Sequence, residues 1–206
     1  MKTLSFGALV LTAGITGLLS FGFLAAAIGS EYWYIIKVNR TDVGDLDSHS
    51  GLWRVHEGGE VYSFTADPAS SNYTETEKHM LHMHSMIVVL LVLSLVLLVL
   101  GGICGLVSSL AQSPVLLTGA ASYFLVCSLL TLSGVSLYIS YSQAAVAETE
   151  RLVGAERLAQ VCTSYGWSLG LAWLSCGLEV LTGLLLLLAA RTARRQHGHQ
   201  GHHTVA

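Results

Sequence analysis

Four apolar runs, each of membrane-crossing length, constrain this chain more than any other feature. They cover about Phe6 to Gly29, His84 to Val107, Val115 to Ile139 and Gly166 to Ala190. At ~1.5 Å per helical residue such a run reaches ~36 Å, enough for a hydrocarbon core of ~30 Å with some tilt. Only 11% of the residues are charged, against roughly 25% in an ordinary soluble domain. So few charges cannot cover a water-facing surface. The pattern predicts an all-α membrane four-helix bundle, with polar loops at 30–83 and 140–165 and a tail at 191–206.

Lys2 and the small residues Ala25-Ala26-Ala27 would also suit a cleaved signal peptide. The first run, however, is far longer than the ~7–15 residues of a signal core, so it is expected to remain as a helix. Gly7, Gly14, Gly17 and Gly22 thin that helix and would permit close helix packing, although glycine is common in membrane helices anyway. The second run ends in Gly101-Gly102-Ile103-Cys104-Gly105, a Gly-x-x-x-Gly spacing suited to tight contact. A short uncharged link, Ser108 to Pro114, makes runs two and three an antiparallel hairpin. Tyr138 and Tyr141 fit an interfacial aromatic belt. Ala144 to Val153 is rich in helix formers and should continue run three until Gly154 stops it. The basic, histidine-rich tail is expected to be disordered.

The first loop reads as a small antiparallel sheet. Tyr32 to Val38, Leu52 to His56 and Val61 to Thr65 carry the aromatic and β-branched residues of strands, with Gly58-Gly59 as a hairpin signal. Leu158 to Tyr165 could add an edge strand from the second loop. Asn39-Arg40-Thr41 and Asn72-Tyr73-Thr74 are glycosylation sequons. Together with the acidic balance of this loop, they favour an extracellular side and place both termini in the cytoplasm. The Lys/Arg count does not decide the orientation: four lie on the proposed inside and six outside. Three of those four nonetheless crowd the end of the last helix, where the positive-inside rule has most force.

Two tryptophans in the first loop, Trp33 and Trp53, need something to pack on, and the second lies in Ser48-His49-Ser50-Gly51-Leu52-Trp53-Arg54. Trp33 followed by Gly51-Leu52-Trp53-Arg54 resembles the extracellular signature of the claudin-like tetraspan superfamily. That group includes claudins, peripheral myelin protein relatives and calcium-channel gamma subunits. The resemblance covers nearly the whole chain. It implies a claudin-like fold, with Trp33 and Trp53 anchoring the sheet at the outer membrane face by burying aromatic area. It further implies a non-enzymatic, multi-pass plasma-membrane protein. The expected role is that of an accessory subunit, partnered by the lipid bilayer and by an ion-channel or receptor subunit. A claudin-like cell–cell contact protein, partnered by a second copy of itself, is the alternative. In one respect the chain departs from the family pattern. The family joins two first-loop cysteines, whereas here His56 takes the first place and Tyr62 or a neighbour the second. Loss of such a bridge typically costs ~2–5 kcal/mol, so the sheet must rely on packing and on its helix anchors.

Few residues suggest chemistry. No Ser/His/Asp set, carboxylate pair or phosphate-cradling loop stands out, so no catalytic residue, cofactor or small-molecule substrate is expected. The acidic loop and the lack of an exposed basic surface exclude nucleic acid. Cys104, Cys127 and Cys176 fall in or near the apolar runs. Cys104 reads either as a lipid-attachment site or as a plain buried thiol. Cys162 lies in the second loop without a partner there. His79 and His82 share a helix face at metal-ligand spacing beside His84, but no carboxylate completes a site. His197, His199, His202 and His203 could hold a metal adventitiously, so no resident metal is expected. The terminal Thr204-Val205-Ala206 is a poor PDZ ligand, because alanine is a weak last residue. Glu179 is the sharpest anomaly, a carboxyl group near the middle of run four. A charge there costs a few kcal/mol, so it should face the bundle and be protonated or accept hydrogen bonds. Ser128, Thr131, Ser133, Thr12 and Thr16 are its expected donors. It reads as a polar lock between helices or as a contact for a partner helix.

Overall fold

The computed structural model describes residues 5–38, 48–57, 60–63, 75–153 and 161–203. Four helices dominate: α1 (Phe6–Gly29), α2 (Glu75–Leu110), α3 (Pro114–Val153) and α4 (Trp167–His203). Each contains a segment long and apolar enough to cross a membrane, namely Phe6–Gly29, Lys78–Leu110, Pro114–Glu148 and Trp167–Gln196. The first matches the bounds read from sequence, while the other helices run further. α2 begins at Glu75, where a carboxylate meets the positive end of the helix dipole. α3 continues through Ala144 to Val153, as the residue types require. α4 does not stop at Ala190. It runs through the tail as far as His203, which corrects the expectation of a disordered tail. Alanine, arginine and glutamine keep helix propensity high as far as Gln196.

The turn between α2 and α3 follows from its residues. Gln112 adopts a left-handed φ of 48°, and its N–H donates back to the Ser109 carbonyl at 3.3 Å. This ends α2. Ser113 then accepts the first bond of α3, from Leu117 N at 3.0 Å. Pro114 fills the first helical position, where its missing N–H costs nothing.

The chain packs as two compact units. The first comprises Met1–Leu24, Leu93–Thr131 and Leu174–Ala206. Small residues admit close contacts between its helix segments: Gly101 receives the Tyr123 ring, and Gly183 lies against the Ala121 carbonyl and Leu125. A Cβ on Gly101 would come within 2.9 Å of that ring, which is the role expected of the Gly-x-x-x-Gly element. Of the α1 glycines, Gly17 faces Thr182 and Phe124, whereas Gly7, Gly14 and Gly22 have nothing within 4 Å. Among the described cysteines, Cys127 and Cys176 are buried and Cys104 is exposed, so the buried reading of Cys104 does not hold.

The second unit comprises Ala25–Val92 and Leu132–Trp173. It holds a five-stranded antiparallel sheet of β1 (Tyr34–Val38), β2 (Ser48–Ser50), β3 (Arg54–Glu57), β4 (Glu60–Ser63) and β5 (Val161–Tyr165). The spatial order is β4-β3-β2-β1-β5. Four strands lie within or near the stretches read from sequence, each shorter at one or both ends. β2 is the addition: Ser48-His49-Ser50 has no β-branched or aromatic residue to announce it, yet it pairs with β1 and β3. β5 closes the far edge of β1 over its full length, from Tyr34↔Tyr165 to Val38↔Val161. Tyr34 and Tyr165 meet edge-on at 5.9 Å, a stabilising cross-strand aromatic pair. Asn39, Asn72 and the Thr204-Val205-Ala206 terminus lie outside the described residues, as do the side chains of Tyr62, Cys162 and the tail histidines.

Candidate functional site

The last carbonyls of a helix have no intrahelical partner. At the end of α1 they are taken up by the two tryptophans. Trp33 Nε1 donates to the Ala27 carbonyl at 2.7 Å, and Trp53 Nε1 donates to Ile28 at 2.9 Å. Ser30 Oγ makes a second bond to Ala27, at 2.9 Å. The two indoles differ in burial. Trp33 is wholly buried, and its ring packs on Tyr138 with centroids 4.7 Å apart. Trp53 is held to Ile28 by its N–H while 46% of its surface stays uncovered by the chain. Tyr138 is itself buried under Trp33 rather than standing in an interfacial belt.

The Gly-Leu-Trp stretch holds these groups in place. Gly51 N donates to the Arg54 carbonyl at 2.8 Å, closing a tight turn, while Trp33 N donates to Ser50 at 3.0 Å. A Cβ on Gly51 would stand 2.7 Å from the Glu31 Cα, so only glycine fits. Leu52 is 1% exposed. Its carbonyl accepts from His84 Nε2 at 2.8 Å, and a carbonyl can only accept, so Nε2 carries the proton. His84 is therefore a brace between α2 and the turn, whereas His79 and His82 stay exposed on α2. Arg54 pairs with Glu31 at 3.7 Å on the surface, where such a bond contributes little. The start of α4 is fixed to the same platform. Gly166 N donates to Trp33 O at 3.0 Å, Ser168 N donates to Tyr32 O at 3.3 Å, and the Ser30 and Ser168 hydroxyls meet at 2.6 Å.

Within the first unit, Glu179 is fully buried and does face its neighbours. Thr131 Oγ1 on α3 donates between its two carboxyl oxygens, at 3.0 and 3.1 Å. Ser94 on α2 meets Thr131 at 2.6 Å, Ser175 lies 3.3 Å from Glu179, and Ser20 on α1 meets Ser175 at 2.9 Å. Each hydroxyl has one proton, so the chain directed at the carboxyl runs from Ser94 through Thr131 and from Ser20 through Ser175. One polar network thus touches all four helices. Of the donors named from sequence, Thr131 is there. Thr16 instead pairs with Thr182 at 2.8 Å, Thr12 bonds its own helix at Ala8, and Ser128 bonds Leu125 while accepting from Cys176. Ser20, Ser94 and Ser175 escaped the sequence reading. Ser175 could have been found, since it lies one helical turn before Glu179.

The network makes a sharp prediction about its members. Thr131→Val removes the donor that spans both carboxyl oxygens and leaves the buried carboxyl with the longer Ser175 bond at 3.3 Å, at a cost of about 1–3 kcal/mol. Glu179→Leu costs less, because Thr131 can fall back on the Cys127 carbonyl at 3.3 Å and Ser175 on the Ser20 carbonyl at 2.8 Å. The double variant should recover most of the Thr131→Val loss. Reversible unfolding in mixed micelles reads these differences, and a double variant no more stable than Thr131→Val would refute the arrangement.

The family model for PMP-22/EMP/MP20/Claudin tight junction proteins matches residues 18–188. The chain belongs to this claudin family. It is a multi-pass membrane protein, with four helices long and apolar enough to cross a membrane. Within the family it is similar to the human voltage-dependent calcium channel gamma-4 subunit, at 31% identity over 156 residues. That match takes in 64% of this chain and 46% of the gamma-4 subunit. The chain therefore spans about half the length of the relative it matches.

Proposed function

We propose that this claudin-family chain is a non-enzymatic accessory subunit at the plasma membrane, associating with a voltage-dependent calcium channel or a similar ion-channel assembly. The similarity to the gamma-4 subunit carries this reading. The arrangement of polar groups agrees with it. Glu179 spends its hydrogen bonds inside the chain, so we read it as a lock between helices. The helix faces left for lipid or a partner are apolar, with Leu18 74%, Leu106 66% and Val115 71% exposed. In the same reading the sheet is extracellular, both termini are cytoplasmic, and Asn39 and Asn72 carry glycans.

A second reading, a claudin-like contact between cells, is favoured by the family description itself. The absence of cysteine from residues 30–83 weighs against a rigid first loop built on a disulfide. Co-expression separates the two. The accessory reading expects the chain to co-purify with a calcium channel in mild detergent, and to show a glycosidase mobility shift that Asn39→Gln with Asn72→Gln removes. Pairing between chains on apposed cells, without capture of a channel, would instead establish the second reading.

A further inference from the structure

Beside the tryptophan platform, and independent of the role proposed above, three potential ligands converge. Glu31, His49 and His56 each place a ligand atom within 4.8 Å of the others. Sequence gives no hint of the cluster. Glu31 follows α1, while His49 and His56 face each other only through the β2–β3 register, as direct partners. The two imidazoles stack at 4.4 Å and 12°, and His49 stacks in turn on Tyr32 at 4.5 Å and 8°. His56 Nε2 stands 3.5 Å from Glu31 Oε2.

We propose that Glu31, His49 and His56 bind a divalent transition-metal ion, with zinc as the first choice. Two neutral imidazoles and a carboxylate form a donor set that zinc favours, and a three-ligand site leaves the fourth position to water. Zinc bonds of about 2.0–2.1 Å in tetrahedral array hold neighbouring ligand atoms about 3.4 Å apart. The Glu31–His56 pair already stands at that spacing. His49, whose ligand atom lies within 4.8 Å of the other two, would have to leave its stack on His56 to complete the array.

The present arrangement leaves His56 unsettled. Its Nδ1 is buried and has no hydrogen-bond partner among the described residues. If Nε2 carries the proton, it donates to Glu31 and the Nδ1 lone pair is stranded. If Nδ1 carries the proton, the Nε2 lone pair confronts the carboxylate. A cation between Nε2 and the Glu31 carboxylate relieves that confrontation; Nδ1 then keeps the proton and is no better partnered than before. All three residues are partly exposed, so an ion can enter and leave. The competing cation is Arg54, whose side chain is 59% exposed and, among the described residues, pairs with Glu31 at 3.7 Å. It can swing into solvent.

The tail histidines must be removed from the test. The full chain carrying His197, His199, His202 and His203→Ala, in lipid nanodiscs, is titrated with zinc chloride against a chromogenic chelator. One saturable zinc per chain is expected. His49→Ala and Glu31→Gln should each weaken it by at least about tenfold. His56→Ala should do the same, whereas His56→Cys, which restores a zinc ligand, should hold zinc. Tryptophan fluorescence and gel filtration confirm that each variant is folded. Absence of saturable zinc binding, or an affinity that none of the three ligand removals changes in folded protein, overturns the proposal.

Discussion

Gly166→Ala is expected to prevent the folded state from forming. An added Cβ would collide with the carbonyl oxygen and carbonyl carbon of Tyr32. Both obstacles are main-chain atoms, and neither can move by a rotamer change. The Tyr32 carbonyl accepts from Ser168 N, and the Trp33 carbonyl accepts from Gly166 N itself. Relieving the clash therefore breaks the junction between β1 and α4. The expected readout is loss of the monodisperse species on gel filtration and retention in the biosynthetic compartment. Gly170→Ala is the control, because nothing lies within 4 Å of that position. In a helix interior the added methyl should stabilise by roughly 0.5–1 kcal/mol. Equal behaviour of the two variants would mean that the close approach at Gly166 does not exist.

Trp33→Ala should be the next most damaging change. The side chain is fully buried against Tyr138, and truncating such a residue typically costs about 3–5 kcal/mol through lost contacts and the cavity left behind. Trp33→Phe isolates the hydrogen bond. It keeps most of the ring volume and loses only the indole N–H. The Ala27 carbonyl still receives Ser30 Oγ, so it is not stranded, and the cost should be about 1 kcal/mol. Ser30→Ala alone should be similarly mild. Combining it with Trp33→Phe removes both side-chain donors to that carbonyl and should cost more than the sum of the single changes. Chemical unfolding in micelles, followed by near-ultraviolet circular dichroism, measures the series. A Trp33→Phe variant as unstable as Trp33→Ala would show that capping, not packing, governs the site.

How much of this was legible beforehand depended on whether the signal was local. The helices were readable because a membrane imposes a length and a polarity on each of them. α1 matched to the residue, since apolar run and helix end together at Gly29. The other helices outran their apolar stretches, because a helix stops at caps and breakers rather than at the edge of hydrophobicity. β1 and β3 announced themselves through aromatic and β-branched residues. β2 did not, for its stability comes from the neighbours on either side. The same distinction divides the candidate sites. Glu179 stood out in an apolar run, and Thr131 was a reasonable guess for its donor. Ser20 and Ser94 are ordinary residues until packing brings them into one chain of hydroxyls. The tryptophans were recognisable, but not that their N–H groups would complete the end of α1. The meeting of Glu31, His49 and His56 required strand register, which no single stretch encodes.

The pairing of β1 with β5 also orders events in time. Tyr34 and its partner Tyr165 are separated by roughly 130 residues of chain, which a ribosome making ~5–20 residues per second takes several seconds or more to supply. The β1–β2–β3–β4 portion can assemble early from nearby segments. Throughout that interval one edge of β1 lacks its partner, and an open edge invites strand addition by other chains. Completion must wait for the end of the second loop and the first residues of α4. A nascent chain arrested before Val161 would carry all the tryptophans of the platform and still present a bare strand, a ready recognition mark for quality-control factors to hold or discard.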